Sequence, residues 1–96
     1  MEAQIHNTTF WISCTNPKLL IKFFDEALQK SGFTVLKTIE HEFEPVGFTQ
    51  LWLLAESHFA IHTFPEKQTT YVELSSCNYD KYCNFVGYFL NNKSEL

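Results

Sequence analysis

Four strand-like segments follow one another between two amphipathic helical segments, and this order limits the folds that the chain can adopt. A first strand is predicted in "IHNTTFWIS", and a helix in the following "TNPKLLIKFFDEALQKSG". Asn16 suits the N-cap of that helix, Pro17 suits its first position, and Gly32 suits its end. Its apolar residues recur at helical spacing and form one stripe: Leu19, Leu20, Phe23, Phe24, Ala27 and Leu28.

The four consecutive strands are predicted in "FTVLKTIEHEFEPVG", "FTQLWLLAE", "SHFAIHTFP" and "TTYVELSSC". We expect the first of them to be half-exposed, because Val35, Ile39 and Phe43 alternate with polar residues. A second helix is predicted in "NYDKYCNFVGYFLNN", with its apolar face formed by Tyr82, Phe85, Val86, Phe89 and Leu90.

The short connections between the strands indicate pairing of neighbours and therefore a mainly antiparallel sheet. The predicted fold is α+β: a two-layer sandwich in one domain, residues 1–96, with element order β-α-β-β-β-β-α and two helices on one sheet face. Phe48, Trp52 and Tyr71 are costly to leave in water on the other face, so we expect a homodimer.

Composition argues against several classes of function. The formal net charge is −4, and all seven basic residues are lysines, which does not favour nucleic-acid binding. No apolar run is long enough for a membrane span, and the N-terminus lacks a signal-peptide pattern, so we expect a cytoplasmic protein without membrane partners. Three cysteines without a CxxC pair do not suggest disulfides or zinc. His58 and His62 lie about 13 Å apart on a strand, so we expect no metal site.

The stretch "LLAESHFAIHTFPE" places Glu56, Ser57 and His58 between two apolar runs, where an ordinary turn would favour Gly, Asn or Pro. Ser57, His62 and Cys77 are candidates for chemistry, but no Gly-x-Ser-x-Gly elbow or glycine-rich oxyanion loop accompanies them. Ser57 and His62 differ by five positions, which places them on opposite faces of a straight strand. Either Ser57 lies in the turn or the strand contains a bulge.

This stretch and the segments on either side of it resemble a known family. "FEPVGFTQLWLLAESHFAIHTFPE", followed by "YVELSSC", is similar to the bacterial and archaeal S-adenosylmethionine decarboxylases. The similar features are the Phe-x-Pro-x-Gly approach, the LxESH site, the IHTxPE strand and a cysteine twenty residues after the serine. The resemblance implies self-cleavage between Glu56 and Ser57 into residues 1–56 and 57–96, which leaves a pyruvoyl cofactor derived from Ser57. It also implies decarboxylation of S-adenosylmethionine for spermidine synthesis.

The same resemblance implies roles for individual residues. The Ser57 hydroxyl attacks the Glu56 carbonyl, His62 acts on the Ser57 Cα proton, Thr49 helps to stabilise the oxyanion, and Cys77 reprotonates the substrate as general acid. Substrate contacts are expected from three residues: Phe43 stacks on adenine, Glu66 accepts hydrogen bonds from the ribose, and Trp11 either stacks on the other side of the purine or packs in the core.

The sequence departs from the family pattern at Asn78, where a glycine usually follows the cysteine, at Ser13, and in the polar segment "KQTTYVELSSC". Two alternatives therefore stay open. One is a pyruvoyl-dependent decarboxylase of ornithine or arginine, with Glu66 and Glu73 facing the cationic end of the substrate. The other is an unprocessed, non-catalytic homologue.

Overall fold

The structure is a computed structural model that describes residues 3–96. It contains five strands, β1 (His6–Ile12), β2 (Val35–Glu42), β3 (Phe48–Leu54), β4 (Ser57–Phe64) and β5 (Thr69–Ser76). Two helices, α1 (Pro17–Lys30) and α2 (Tyr79–Asn92), follow β1 and β5, and short 3₁₀ turns span Pro65–Lys67 and Lys93–Glu95. The strand order is β1-β5-β4-β3-β2, and every neighbouring pair is antiparallel. The predicted α+β fold and element order are confirmed.

Local signals in the sequence explain where the helices begin and end. The Asn16 side chain accepts a hydrogen bond from the backbone N–H of Leu19 at 3.2 Å, and Asn78 caps α2 in the same way through the N–H of Lys81 at 3.0 Å. Gly32 follows α1 with φ +96°, a left-handed conformation that glycine adopts without steric cost. The cap on α2 matters for the site, because Asn78 directly follows Cys77.

Both helices cover one face of the sheet, and the core lies between the two layers. Phe24 of α1 and Phe85 of α2 are fully buried against Phe59 of β4. Trp52 is also fully buried, and its Nε1–H donates to the Asp25 carboxylate at 2.7 Å, which satisfies a polar group that burial would otherwise penalise. The helix-facing side chains of β3 are those at even positions, which is why Phe48 and Trp52 are buried.

The predicted reason for a homodimer was therefore wrong for two of its three residues. Phe48 and Trp52 pack under the helices, and only Tyr71 lies on the opposite sheet face, here called the open face. Apolar side chains are nevertheless exposed there, Leu51 and Leu53 being 42% and 50% accessible. The open face also carries a groove of about 460 Å³ between β2 and β3, and these two leucines line part of it.

Three details of burial differ from expectation. Strand β2 lies at the sheet edge and is exposed along its whole length, unlike β1 at the other edge, where alternate residues are half-buried. A register shift between Val35 and Lys37 places Val35 opposite buried Leu54, whereas Ile39 lies opposite exposed Leu51, so the predicted alternation is broken by a bulge. Two residues predicted on apolar helix faces, Leu19 and Leu90, are also exposed. Within residues 3–96, neither helix has the length and apolarity that crossing a membrane requires.

Candidate active site

The Glu56–Ser57 bond lies where a tight turn meets a strand. Ala55 and Glu56 connect β3 to β4, and Leu54 pairs directly with Ser57, the first residue of β4. Glu56 has φ 65°, a left-handed conformation that is uncommon and unfavourable for a residue with a side chain of this size. The bond that the resemblance marks for cleavage thus follows a strained, exposed residue.

The carbonyl oxygen of Glu56 faces Cys77, which comes directly after β5. It accepts the Cys77 thiol at 3.2 Å and the Cys77 backbone N–H at 3.5 Å. Two donors directed at one carbonyl oxygen are the arrangement that stabilises negative charge when a carbonyl is attacked. The structure therefore brings together three predicted residues, Glu56, Ser57 and Cys77, here called the turn group.

A fourth residue contacts this group although the sequence did not single it out. The Ser57 hydroxyl donates to Ser76 Oγ at 2.7 Å, and Ser76 lies directly opposite Ser57 in the β4–β5 pairing. Ser76 is 1% exposed, and its oxygen also accepts the backbone N–H of Asn78 at 2.9 Å. A cavity of about 280 Å³ opens beside the turn group, with Ser57, Ser76 and Cys77 in its wall.

Thr49 and His62 form a second, separate group. Thr49 Oγ1 and His62 Nδ1 lie 2.9 Å apart across β3 and β4, within hydrogen-bond distance. β4 keeps a regular register on both sides, so it contains no bulge, and Ser57 lies at its start. His62 is then about 16 Å along the strand from Ser57 and on its opposite face. One chain does not bring Thr49 or His62 to Ser57.

The three residues predicted to bind substrate lie near Thr49 and His62, at the end of the sheet away from the turn. Phe43 is half-exposed and borders a cavity of about 290 Å³ that also includes Thr63 and Pro65. Glu66 is exposed in the 3₁₀ turn after β4. Trp11 is 60% exposed and packs edge-on against Tyr71, with ring centroids 5.2 Å apart, so the expectation that it packs in the core was wrong. These residues complete what we call the distal group: Thr49, His62, Phe43, Glu66 and Trp11.

Polar side chains beside the distal group already have partners. The Tyr71 hydroxyl donates to Glu73 at 2.7 Å, and this hydrogen bond raises the pKa of Tyr71 above its ordinary value. The other carboxylate oxygen of Glu73 lies 4.0 Å from His58 Nε2. Among residues 3–96, no three His, Cys, Asp or Glu side chains cluster as a metal site would require.

Comparison with known proteins identifies the family. The family model described as S-adenosylmethionine decarboxylase matches residues 13–94, which include both groups except Trp11. The chain belongs to the S-adenosylmethionine decarboxylase family. The sheet with its two covering helices also resembles the crystal structure of the adenosylmethionine decarboxylase from Aquifex aeolicus, with a TM-score of 0.63 and 26% identity over 75% of this chain and 60% of that one.

Individual relatives carry the same description. The S-adenosylmethionine decarboxylase proenzyme of Prochlorococcus marinus strain MIT 9313 is 49% identical over 51 residues, which are 53% of this chain and 41% of the relative. An S-adenosylmethionine decarboxylase proenzyme 2 of Bacillus cereus is 45% identical over 51 residues, 53% of this chain and 42% of the relative. The matched part of this chain thus spans about two fifths of the length of these relatives.

Proposed function

We propose that the chain is the precursor of a pyruvoyl-dependent S-adenosylmethionine decarboxylase and matures by cutting itself between Glu56 and Ser57. The observation that best supports this is the contact of the Glu56 carbonyl with the thiol and N–H of Cys77, one residue from the Ser57 hydroxyl. Family membership and the proenzyme names of the relatives support it independently.

The cleavage chemistry uses groups of the chain itself. Ser57 Oγ bonds to the Glu56 carbonyl carbon, the oxyanion is stabilised by the two Cys77 donors, and the peptide C–N bond breaks to give an ester and a free amine. Removal of the Ser57 Cα proton by a base then expels the Glu56 carboxylate, which becomes the end of residues 1–56. The remaining dehydroalanine tautomerises and exchanges its nitrogen with water, which releases ammonia and leaves a ketone on residue 57.

The turn group is suited to such a cofactor, because position 57 faces a cavity and a proton donor. The pyruvoyl group supplies a carbonyl that binds the substrate amine and accepts the electron pair left when carbon dioxide departs. The Cys77 thiol, exposed beside the bond between residues 56 and 57, delivers the proton to the substrate α-carbon. Phe43 stacks on the adenine and Glu66 accepts hydrogen bonds from the ribose. Trp11 offers a separate aromatic surface, because it lies on the edge strand opposite to the one that Phe43 follows.

The base proposed for the Cα proton, His62, must come from another copy of the chain. We infer a homodimer in which the open faces of two sheets meet with their strands running in opposite directions. A two-fold axis then brings the distal group of one protomer to the turn group of its partner and completes two equivalent sites. Apolar Leu51 and Leu53 support the contact, since both are half-exposed on that face. Thr49 holds the imidazole of His62 through their 2.9 Å contact.

The alternative substrates receive no comparable support, because Glu73 is already engaged by Tyr71 and His58. The cytoplasmic location remains a prediction.

Intact-mass analysis of the purified chain tests the proposal directly. We expect two fragments that meet at residue 56, with the C-terminal fragment lighter by one ammonia than simple hydrolysis would give. Ser57→Ala should stay intact. Carboxyl-labelled S-adenosylmethionine, ornithine and arginine then identify the substrate, and we expect labelled carbon dioxide from the first alone. A wild-type chain that remains whole after long incubation, or a Ser57→Ala chain that is cut, would refute self-cleavage at this bond.

A further inference from the structure

Ser76 is the only residue in the described part of the chain that receives a side-chain hydrogen bond from the Ser57 hydroxyl. The two serines face each other at the ends of β4 and β5, and their side chains point to the same side of the sheet. Ser76 is nearly fully buried, so its hydroxyl has few directions in which to turn. The contact is therefore fixed by the fold and does not depend on a mobile surface side chain.

The other hydrogen bonds of Ser76 define what it can do. Its oxygen accepts from both Ser57 Oγ and the N–H of Asn78, and its own hydroxyl points to the Asn78 carbonyl at 3.4 Å. Both lone pairs are then in use, and its proton faces an amide carbonyl, which is a very weak base. Ser76 cannot pass on the Ser57 proton, so it does not act as the general base.

We propose that Ser76 is a positioning residue for self-cleavage, an inference that rests on the proposed function. By accepting the Ser57 O–H, it fixes the side-chain torsion of Ser57 and leaves the lone pairs of Oγ facing away from Ser76. A nucleophile attacks through a lone pair, so this orientation prepares Oγ for the Glu56 carbonyl carbon. The capped start of α2 anchors the arrangement, because Asn78 contacts Ser76 and caps the helix with its side chain.

This role must end when cleavage is complete. Ser57 Oγ leaves as one oxygen of the new carboxylate of Glu56, so the donor that Ser76 holds is no longer on residue 57. Ser76 should consequently affect the rate of maturation more than the decarboxylation that follows. Loss of a residue that only stabilises the fold would be expected to lower the rates of maturation and decarboxylation together.

The test compares Ser76→Ala and Ser76→Thr with the wild type. The alanine variant should cleave about tenfold more slowly, which is the effect of one hydrogen bond lost from the step. The threonine variant retains the hydroxyl and should cleave within about threefold of the wild-type rate. Decarboxylation per cleaved chain should fall less than the cleavage rate in the alanine variant. Hydroxylamine, which cuts an accumulated ester, should not restore the rate of Ser76→Ala, because the slow step precedes the ester.

Ser31→Ala provides a matched control, since Ser31 is also a buried serine, donates to the Ala27 carbonyl at 2.6 Å and lies at the end of α1. It should lose stability but keep the wild-type cleavage rate. If Ser76→Ala does not fold, Ser76→Val against Ser76→Thr compares side chains of the same shape that differ in the hydroxyl. Equal cleavage rates with and without the hydroxyl overturn the inference, as does an equal fall in cleavage and decarboxylation. A wild-type chain that never cleaves overturns the proposed function itself, and with it this inference.

Discussion

Co-expression of a Ser57→Ala chain with a His62→Ala chain should restore self-cleavage that each variant lacks when expressed alone. The reason is the separation of the two side chains on β4, where they lie on opposite faces and about 16 Å apart along the strand. No side-chain rotation closes such a distance. If His62 acts on Ser57, it acts from the partner, and a mixed dimer contains one complete site.

The expected yield follows from pairing statistics. Random association at equal expression makes about half of the dimers mixed, and each mixed dimer has one intact site and one doubly altered site. About half of the chains that carry the histidine substitution should therefore be cut, which is about a quarter of all chains. The chains with the serine substitution should remain whole, because the nucleophile is missing wherever they pair.

Intact-mass analysis distinguishes the two chains, since the substitutions change their masses differently. The control pairs Ser57→Ala with Cys77→Ala, two changes within the turn group that one protomer contributes as a unit. Mixing these should add no cleavage beyond that of Cys77→Ala alone. Mixed dimers that are present but uncut would contradict the inferred sharing of sites, and so would a His62→Ala chain that matures alone at the wild-type rate.

Three further predictions concern single positions. Cys77→Ala removes the thiol donor 3.2 Å from the Glu56 carbonyl, so self-cleavage should slow about tenfold in a gel time course. The release of labelled carbon dioxide should fall further, and Cys77→Ser should recover part of the cleavage rate. Trp52→Phe removes the N–H that Asp25 accepts and should lower the free energy of unfolding in urea by about 1 to 3 kcal/mol; an unchanged midpoint would contradict the role of this contact. Leu53→Lys on the open face should give monomers in light scattering with little loss of stability; a dimer that persists would place the interface elsewhere.

The elements of this fold could be predicted because their signals are local. Asn16 and Pro17 mark the start of α1, and the structure begins the helix at Pro17. Pro45 and Gly47 separate β2 from β3, and the Glu56–Ser57 break separates β3 from β4. Each of these signals acts over a few residues, so neither pairing partners nor burial had to be known in advance.

Facts that depend on pairing were not accessible from the sequence. Parity along β3 shows that Phe48 and Trp52 share a face, but only the position of the helices decides that this face is the covered one. No residue in the sequence indicates the bulge near Val35. The bulge moves the side chains before it to the opposite face of the sheet from the one that simple alternation predicts. Only the β4–β5 register shows that Ser76 lies opposite Ser57 and can contact it. Its position directly before Cys77 was the one available hint.

The division into a turn group and a distal group follows from the geometry of β4 itself. Side chains five positions apart on a regular strand point to opposite faces, so a sheet of this kind cannot direct both Ser57 and His62 at one substrate. A bulge between them would correct the parity but would not shorten the separation, and β4 has none. A second copy removes the separation, because it brings its own distal group over the turn from the face that the helices leave open. Ser57 shares the covered face with Phe59, so the partner's His62 is directed at the Cα proton of Ser57 and not at its hydroxyl. Under this proposal maturation depends on assembly: an isolated chain stays in one piece, joined at residues 56 and 57 as an amide or an ester, until a partner delivers the imidazole.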